Sequence, residues 1–235
     1  MKLFDVYPLY EVCPVKAKDI HLYDEAGTEY LDLYGGHAVI SVGHSHPHYV
    51  NRLQEQLHKI AFYSNAVENP LQQKLADEIG EQSCLHDYQL FLCSSGAEAN
   101  ENALKLASFH TGKKRVVAFK NAFHGRTSAA VAATDNQNIN APLNQQQEVT
   151  FIPFNDTAIL EKELQKGDVC AVIFEPIQGV GGLDVPEDNF VLGMEKLCYQ
   201  YDAALIADEV QSGFSRSGTF FAFQNNNIKP HVITM

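Results

Sequence analysis

Four short stretches of this 235-residue chain hold the side chains best able to do chemistry. Ser94-Ser95-Gly96-Ala97-Glu98-Ala99-Asn100 follows an apolar run, Tyr88–Cys93, and opens a helical pattern. Ser95 and Glu98 stand at capping-box spacing, and Glu101 precedes Lys105 at the spacing of a helical ion pair. Gly96 allows close backbone approach, and a helix start offers free N–H groups at the positive end of its dipole. Together these can cradle a phosphate; a Ser-Gly pair that merely caps its helix is the plainer alternative. Asn121-Ala122-Phe123-His124-Gly125-Arg126-Thr127 puts an aromatic, a histidine and an arginine in one turn. Phe123 can stack on a planar ring and Arg126 can grip a carboxylate through two parallel hydrogen bonds, although a surface arginine is ordinarily just solvated.

The other two stretches each begin with an acid directly after an apolar run: Glu175-Pro176-Ile177-Gln178-Gly179 and Asp208-Glu209-Val210-Gln211-Ser212-Gly213. A carboxylate at the end of a buried strand is costly unless it meets a cationic partner. For Asp208 a protonated pyridine nitrogen suits, because the carboxylate would hold that proton and let the ring act as an electron sink.

These stretches need a scaffold that delivers them to one place. Apolar runs at 88–93, 116–119, 149–154, 169–174 and 203–207 read as strands. Helical patterns carrying Leu160 and Leu164, then Phe190, Leu197 and Tyr201, lie between the last three. Such alternation predicts an α/β fold, a mainly parallel sheet flanked by helices, with ligands at the carboxyl ends of the strands. Upstream, Ile20–Leu33 reads as a hairpin turning at Asp24-Glu25-Ala26-Gly27. A helix follows Pro47, with Val50, Leu53, Leu57 and Ile60 on its apolar face, and another opens at Pro70 with Leu71, Leu75 and Ile79. Asn136–Gln147, rich in Asn and Gln, reads as a surface loop.

Composition narrows the partners. At 45% hydrophobic and 20% charged the chain is globular, and its formal charge of -12 opposes nucleic-acid binding. No stretch reads as a signal peptide or a membrane span, and five scattered cysteines without a Cys-x-x-Cys pair suit reduced thiols. A cytoplasmic protein with no membrane partner is expected. Ala204–Glu209 could pass for the acidic strand of a nucleotide hydrolase, but Gly112-Lys113 lacks the earlier glycine and the following hydroxyl residue of a phosphate loop. Gly179-Val180-Gly181-Gly182 is a poor dinucleotide fingerprint, because Pro186 blocks the helix it needs. His44-Ser45-His46-Pro47-His48 could be a metal loop, but a loop capping the next helix explains it as well, and no metal site is expected.

The four motifs in this order resemble the class III, or ornithine-type, aminotransferases of fold type I, over nearly the whole chain. The resemblance implies pyridoxal 5'-phosphate, with Ser95, Gly96 and Ala97 as its phosphate turn. Phe123 is then the ring-stacking residue with His124 beside it, Asp208 the catalytic partner of the pyridine nitrogen, Val210 the contact on the other ring face, and Gln211 the neighbour of the phenolic oxygen. Arg126 matches the arginine for the substrate α-carboxylate, and Glu175 matches the glutamate that pairs with a later arginine to gate two substrates. Tyr30–Val39, Gly43-His44-Ser45-His46-Pro47 and the Phe-His-Gly-Arg turn are most similar to acetylornithine aminotransferases. His37 departs from the apolar residue usual there and from the aromatic of free-ornithine enzymes, which points to a different acyl group such as succinyl.

The implied activity moves an amino group between an N-acylornithine, acetyl or succinyl, and 2-oxoglutarate, with glutamate as co-product, in arginine biosynthesis. Ornithine, 4-aminobutyrate and glutamate-semialdehyde enzymes of the same class, or a non-catalytic fragment, are the alternatives. The resemblance further implies a homodimer. It also makes residues 1–47 the N-terminal segment of a small domain and 48–235 an incomplete cofactor-binding large domain, with the C-terminal small domain absent. None of the thirteen lysines lies in the context of the family's Schiff-base lysine, which would follow Lys229–Met235. A fragment inactive by itself is therefore expected, and exposed apolar surface would make it prone to aggregate.

Overall fold

The hairpin closes where its glycine demands. Gly27 has φ +82°, its N–H donates to Asp24 O, and the Asp24 carboxylate accepts from Thr28 N and Tyr30 Oη. Strands β2 (His21–Asp24) and β3 (Glu29–Leu31) pair antiparallel, and β1 (Pro14–Lys18), which no sequence pattern announced, pairs antiparallel with β2. A helical turn α1 (Gly35–Ala38) and the helix α2 (Pro47–Lys59), with proline in its first turn, follow. The computed structural model describes residues 1–4, 6–7, 9–64 and 66–235, in two compact units, Met1–Asn69 and Pro70–Met235. α2 thus belongs to the first unit.

The second unit begins with α3 (Pro70–Ser83) and α4 (Gly96–Thr111). Next come β4 (Arg115–Phe119), α5 (Ser128–Ala132), β5 (Val149–Ile152) and α6 (Thr157–Leu164). β6 (Val169–Phe174), α7 (Asp188–Gln200), β7 (Ala204–Asp208) and β8 (Val232–Thr234) complete it. The five strands form one parallel sheet in the order β5-β4-β6-β7-β8. Every residue of β4, β6 and β7 is buried, as strands covered on both faces require.

The period of two sorts their side chains. Val117, Phe119, Val172, Phe174 and Leu205 point to a core closed by Leu160 and Leu164 of α6 and Phe190, Val191 and Met194 of α7. Val116, Ala118, Ala171, Ile173 and Ile206 point to the other side, against Ala103, Leu104 and Ala107 of α4. That second interface is rich in alanine, so α4 can lie close to the sheet. Its N-terminus comes to the carboxyl ends of the strands, where Gly96 meets Val210 and Asn100 meets Asp208.

Two expectations fail. Tyr88–Cys93 forms no strand; it lines an apolar groove of about 530 Å³ together with Val232, Ile233 and Thr234, and no ladder joins them. A strand exists only where a partner's N–H and C=O groups meet it; an apolar run supplies no partner, and here Phe91 and Leu92 stay exposed. Glu101 does not turn to Lys105. Its Oε2 accepts from Thr127 Oγ1 at 2.8 Å, Ala129 N at 2.7 Å and Ala130 N at 3.2 Å, because the first-turn N–H groups of α5 have no intrahelical carbonyl, whereas a solvated lysine is satisfied by water.

Candidate active site

Three glycines bring the motifs together by what they lack. A Cβ on Gly96 would stand 2.6 Å from Val210 Cγ1, and one on Gly125 2.6 Å from Ala97 Cβ. One on Gly179 would overlap Gln211 Oε1. The phosphate-type turn at 95–97, the aromatic turn at 123–126, the Glu175 turn and the Asp208 turn therefore converge at the carboxyl ends of β4, β6 and β7. Ser95 caps α4, its Oγ accepting from Glu98 N at 3.2 Å, while Glu98 Oε2 accepts from Ser94 N at 2.8 Å. The reach back goes to Ser94 where a capping box goes to Ser95 itself. First-turn N–H groups of α4, which no intrahelical carbonyl can reach, remain available to an anion.

Asp208 is 5% exposed and well supplied with donors. Its Oδ2 accepts from His124 Nδ1 and from Asn100 Nδ2, both at 2.7 Å, and its Oδ1 accepts from Val210 N at 3.1 Å. A carboxylate has roughly four acceptor positions, two on each oxygen. Oδ2 is thus saturated, and one position on Oδ1 stays open to a further donor such as a pyridinium N–H. His124 is itself buried. Its backbone N–H donates to Thr134 Oγ1 at 3.0 Å, and its Nε2 has no partner among the described residues.

The neighbouring acids take other tasks. Glu175 accepts from Phe123 N at 2.9 Å and Gly179 N at 3.3 Å, so both oxygens brace the turns that flank the site. Burial pushes its carboxyl above the usual range, against the pull of His124. Glu209 faces away from Asp208 chemistry: it accepts from Ser212 Oγ at 2.6 Å and Phe223 N at 2.8 Å, and burial pushes its carboxyl up as well. An acidic pair that could have held a magnesium ion is thereby split into one site residue and one brace.

Phe123 is half-buried, and Val210 and Arg126 are exposed. Thr127 Oγ1, 3.2 Å from Ala97 O, ties the arginine's turn to α4. His37 belongs to the first unit. It sits exposed with φ +58° and hydrogen-bonds Tyr34 Oη through Nδ1. His44 likewise has a partner there, Asp32 Oδ2 at 2.7 Å, and this contact holds the Asp32 carboxyl below the usual range. Sequence reading missed Asn100 and Thr234, which stand behind Asp208. The signal for Asn100 was available, since it shares the inward stripe of α4 with Ala103, Leu104 and Ala107, where a polar residue is out of place.

A parallel sheet with a helix N-terminus, an aromatic turn and a buried carboxylate at its carboxyl edge is the fold type I transferase arrangement. The chain belongs to the class-III aminotransferase family, whose profile matches residues 5–235. It is 40% identical over 235 residues to an acetylornithine aminotransferase of Halalkalibacterium halodurans, covering 99% of this chain and 60% of that protein. The ornithine aminotransferase of Toxoplasma gondii ME49 superposes with a TM-score of 0.90 at 27% identity, over 98% of this chain and 56% of that one. A taurine:2-oxoglutarate aminotransferase from Bifidobacterium kashiwanohense, solved with PLP and glutamate, gives 0.86 at 26% identity, over 98% and 57%. The chain thus spans about three-fifths of the length of the curated relative it matches.

Proposed function

We propose that the complete protein is a pyridoxal-phosphate-dependent aminotransferase. It exchanges an amino group between an N-acylornithine and 2-oxoglutarate, in arginine biosynthesis, as a cytoplasmic homodimer. The observation that carries this reading is the convergence of Ser95-Gly96-Ala97, Phe123 and Asp208, with one acceptor position left open on a buried carboxylate. Ser95, Gly96 and Ala97 would hold the phosphate at the N-terminus of α4. Phe123 and Val210 would flank the ring, Gln211 would lie by its phenolic oxygen, and Asp208 Oδ1 would accept from its nitrogen. When bound, the cofactor supplies an electron sink for charge developing at the substrate Cα.

Arg126 would take the substrate α-carboxylate through its planar fork, which fixes the substrate's orientation as well as its charge. Glu175 holds the turn that carries Phe123, and its role as a substrate gate belongs to this proposal too, as does His37 as a determinant of the acyl group. Residues 1–47 would belong to the small domain of the complete protein. The proton at Cα needs a mobile base, and the lysines of this unit with assigned acceptors are engaged elsewhere. Lys113 bonds Tyr201 O, Lys114 Glu148, Lys166 Glu163, and Lys229 Asp87. None of the four converging motif segments contains a lysine, so the chain by itself would bind cofactor without turning over.

The resemblance to acetylornithine aminotransferases favours an acylated substrate, whereas the ornithine aminotransferase superposition supports free ornithine as the second reading. The test is to mix the purified chain with pyridoxal phosphate, reduce with borohydride, and map the peptides by mass. We expect one cofactor bound per chain by equilibrium dialysis but no stoichiometric adduct on a single lysine. No bound cofactor would overturn the site, and a single-lysine adduct would overturn the inactivity. Competition of Nα-acetylornithine and ornithine for the cofactor-loaded chain then separates the two substrates.

A further inference from the structure

The amide of Asn100 is 1% exposed and every polar atom it carries is used. Nδ2 donates to Asp208 Oδ2 at 2.7 Å and to the His124 carbonyl at 2.8 Å, while Oδ1 accepts from Thr234 Oγ1 at 2.7 Å. Thr234 is itself 3% exposed. The arrangement specifies which way the amide faces: reversed, Oδ1 would confront a carboxylate and a carbonyl, two acceptors with no proton between them. Helix α4, the aromatic turn, β7 and β8 thus meet on one side chain.

We propose that Asn100, oriented by Thr234, is a positioning residue for Asp208. Together with His124 it saturates Oδ2, so the carboxylate cannot rotate to trade its oxygens, and the remaining acceptor position is presented on Oδ1. A carboxylate held by Val210 N and His124 alone would have open positions on both oxygens and could turn between them. The inference rests on the cofactor reading above and extends it: recognition of the ring nitrogen depends on a side chain that does not touch the ring.

A ligand pair isolates this effect. Pyridoxamine 5'-phosphate and its 1-deaza analogue, in which C–H replaces the ring nitrogen, share the phosphate and the ring faces, and both lack the aldehyde that labels surface lysines. Calorimetric titration of the wild-type chain should show a preference for the nitrogen-bearing ligand on the order of 10-fold to 100-fold, the range of a charge-assisted hydrogen bond. Asn100→Leu should cut that preference by about 10-fold while leaving affinity for the deaza analogue within about 2-fold. Thr234→Val, which removes one hydroxyl near the chain end, should cut it by about 3-fold and decides the matter where Asn100→Leu does not fold. A variant that keeps the wild-type ratio, whether it weakens both ligands equally or neither, would overturn the proposal and leave Asn100 a packing role. A wild-type chain that binds both ligands without preference removes the ring-nitrogen role of Asp208, and with it this inference. A wild-type chain that binds neither refutes the cofactor reading itself.

Discussion

Replacing Gly125 by alanine tests the convergence of the site directly. Gly125 has φ +125°, a conformation side chains rarely adopt, and its added Cβ would lie 2.6 Å from Ala97 Cβ and 2.9 Å from Ala97 Cα. The first of these neighbours is a stub with no rotamer to change and the second is backbone, so neither can yield without moving α4. Strain at such a residue costs about 1–3 kcal/mol, and overpacking a tight contact about as much again. The sum, roughly 4 kcal/mol, is a large share of the roughly 5–15 kcal/mol that holds a domain together. Gly112 provides the control in the same unit: φ is +68° at the C-cap of α4, and a Cβ there meets nothing within 4 Å. Gly112→Ala should therefore cost only the left-handed strain, about 1 kcal/mol. Urea unfolding followed by far-UV circular dichroism suits a chain with no tryptophan. Gly125→Ala should also weaken binding of pyridoxamine phosphate, since it separates the 95–97 turn from the aromatic turn, whereas Gly112→Ala should not. Equal unfolding midpoints for the two variants would refute the close approach on which the site depends.

Arg115 is 8% exposed and donates to both oxygens of Asp168, to Glu163 and to Thr150. Arg115→Leu should cost about 3 kcal/mol in urea, at the low end for a broken buried pair because Asp168 is partly solvated. The guanidinium holds the Asp168 carboxyl below its usual range, so that stability is present above the unfolded value and lost as pH falls through the lower folded one. The variant's unfolding midpoint should accordingly fall less than the wild type's between about pH 5 and pH 3. Glu175 has the opposite sign: burial raises its folded value above 4.5, so stability declines as pH climbs from there through the raised value. Glu175→Gln should flatten that decline, and an unchanged slope in midpoints would argue against a buried carboxyl. Cys13, Cys84 and Cys93 are exposed while Cys170 and Cys198 are buried, with burial pushing both buried thiols up. A chromogenic disulfide reagent should thus label three thiols in the folded chain and five in urea.

What the chain's own order of residues determined is the local chemistry. Ser95 as a cap, Gly27 as a turn, Pro47 and Pro70 as helix openings and the doubly buried strands at 116–119, 169–174 and 203–207 all follow from interactions within a few residues. So do the four chemical motifs: three are turns at the ends of their own strands, and Ser94–Asn100 opens its own helix. Only the tertiary structure decided how these motifs meet. The order β5-β4-β6-β7-β8 sets β4, β6 and β7 side by side, and the alanine-rich packing of α4 brings its first turn to Val210. It also decided the partners of polar groups far apart in the chain: Glu101 turned from Lys105 to α5, Glu209 turned from the site to Phe223, and Tyr88–Cys93 was left without a ladder. Asn100 and Thr234, 134 positions apart, meet behind Asp208 for the same reason. Hydrophobic periodicity says which side of an element is buried, but a hydrogen bond needs a named atom opposite, and only the packed chain supplies one.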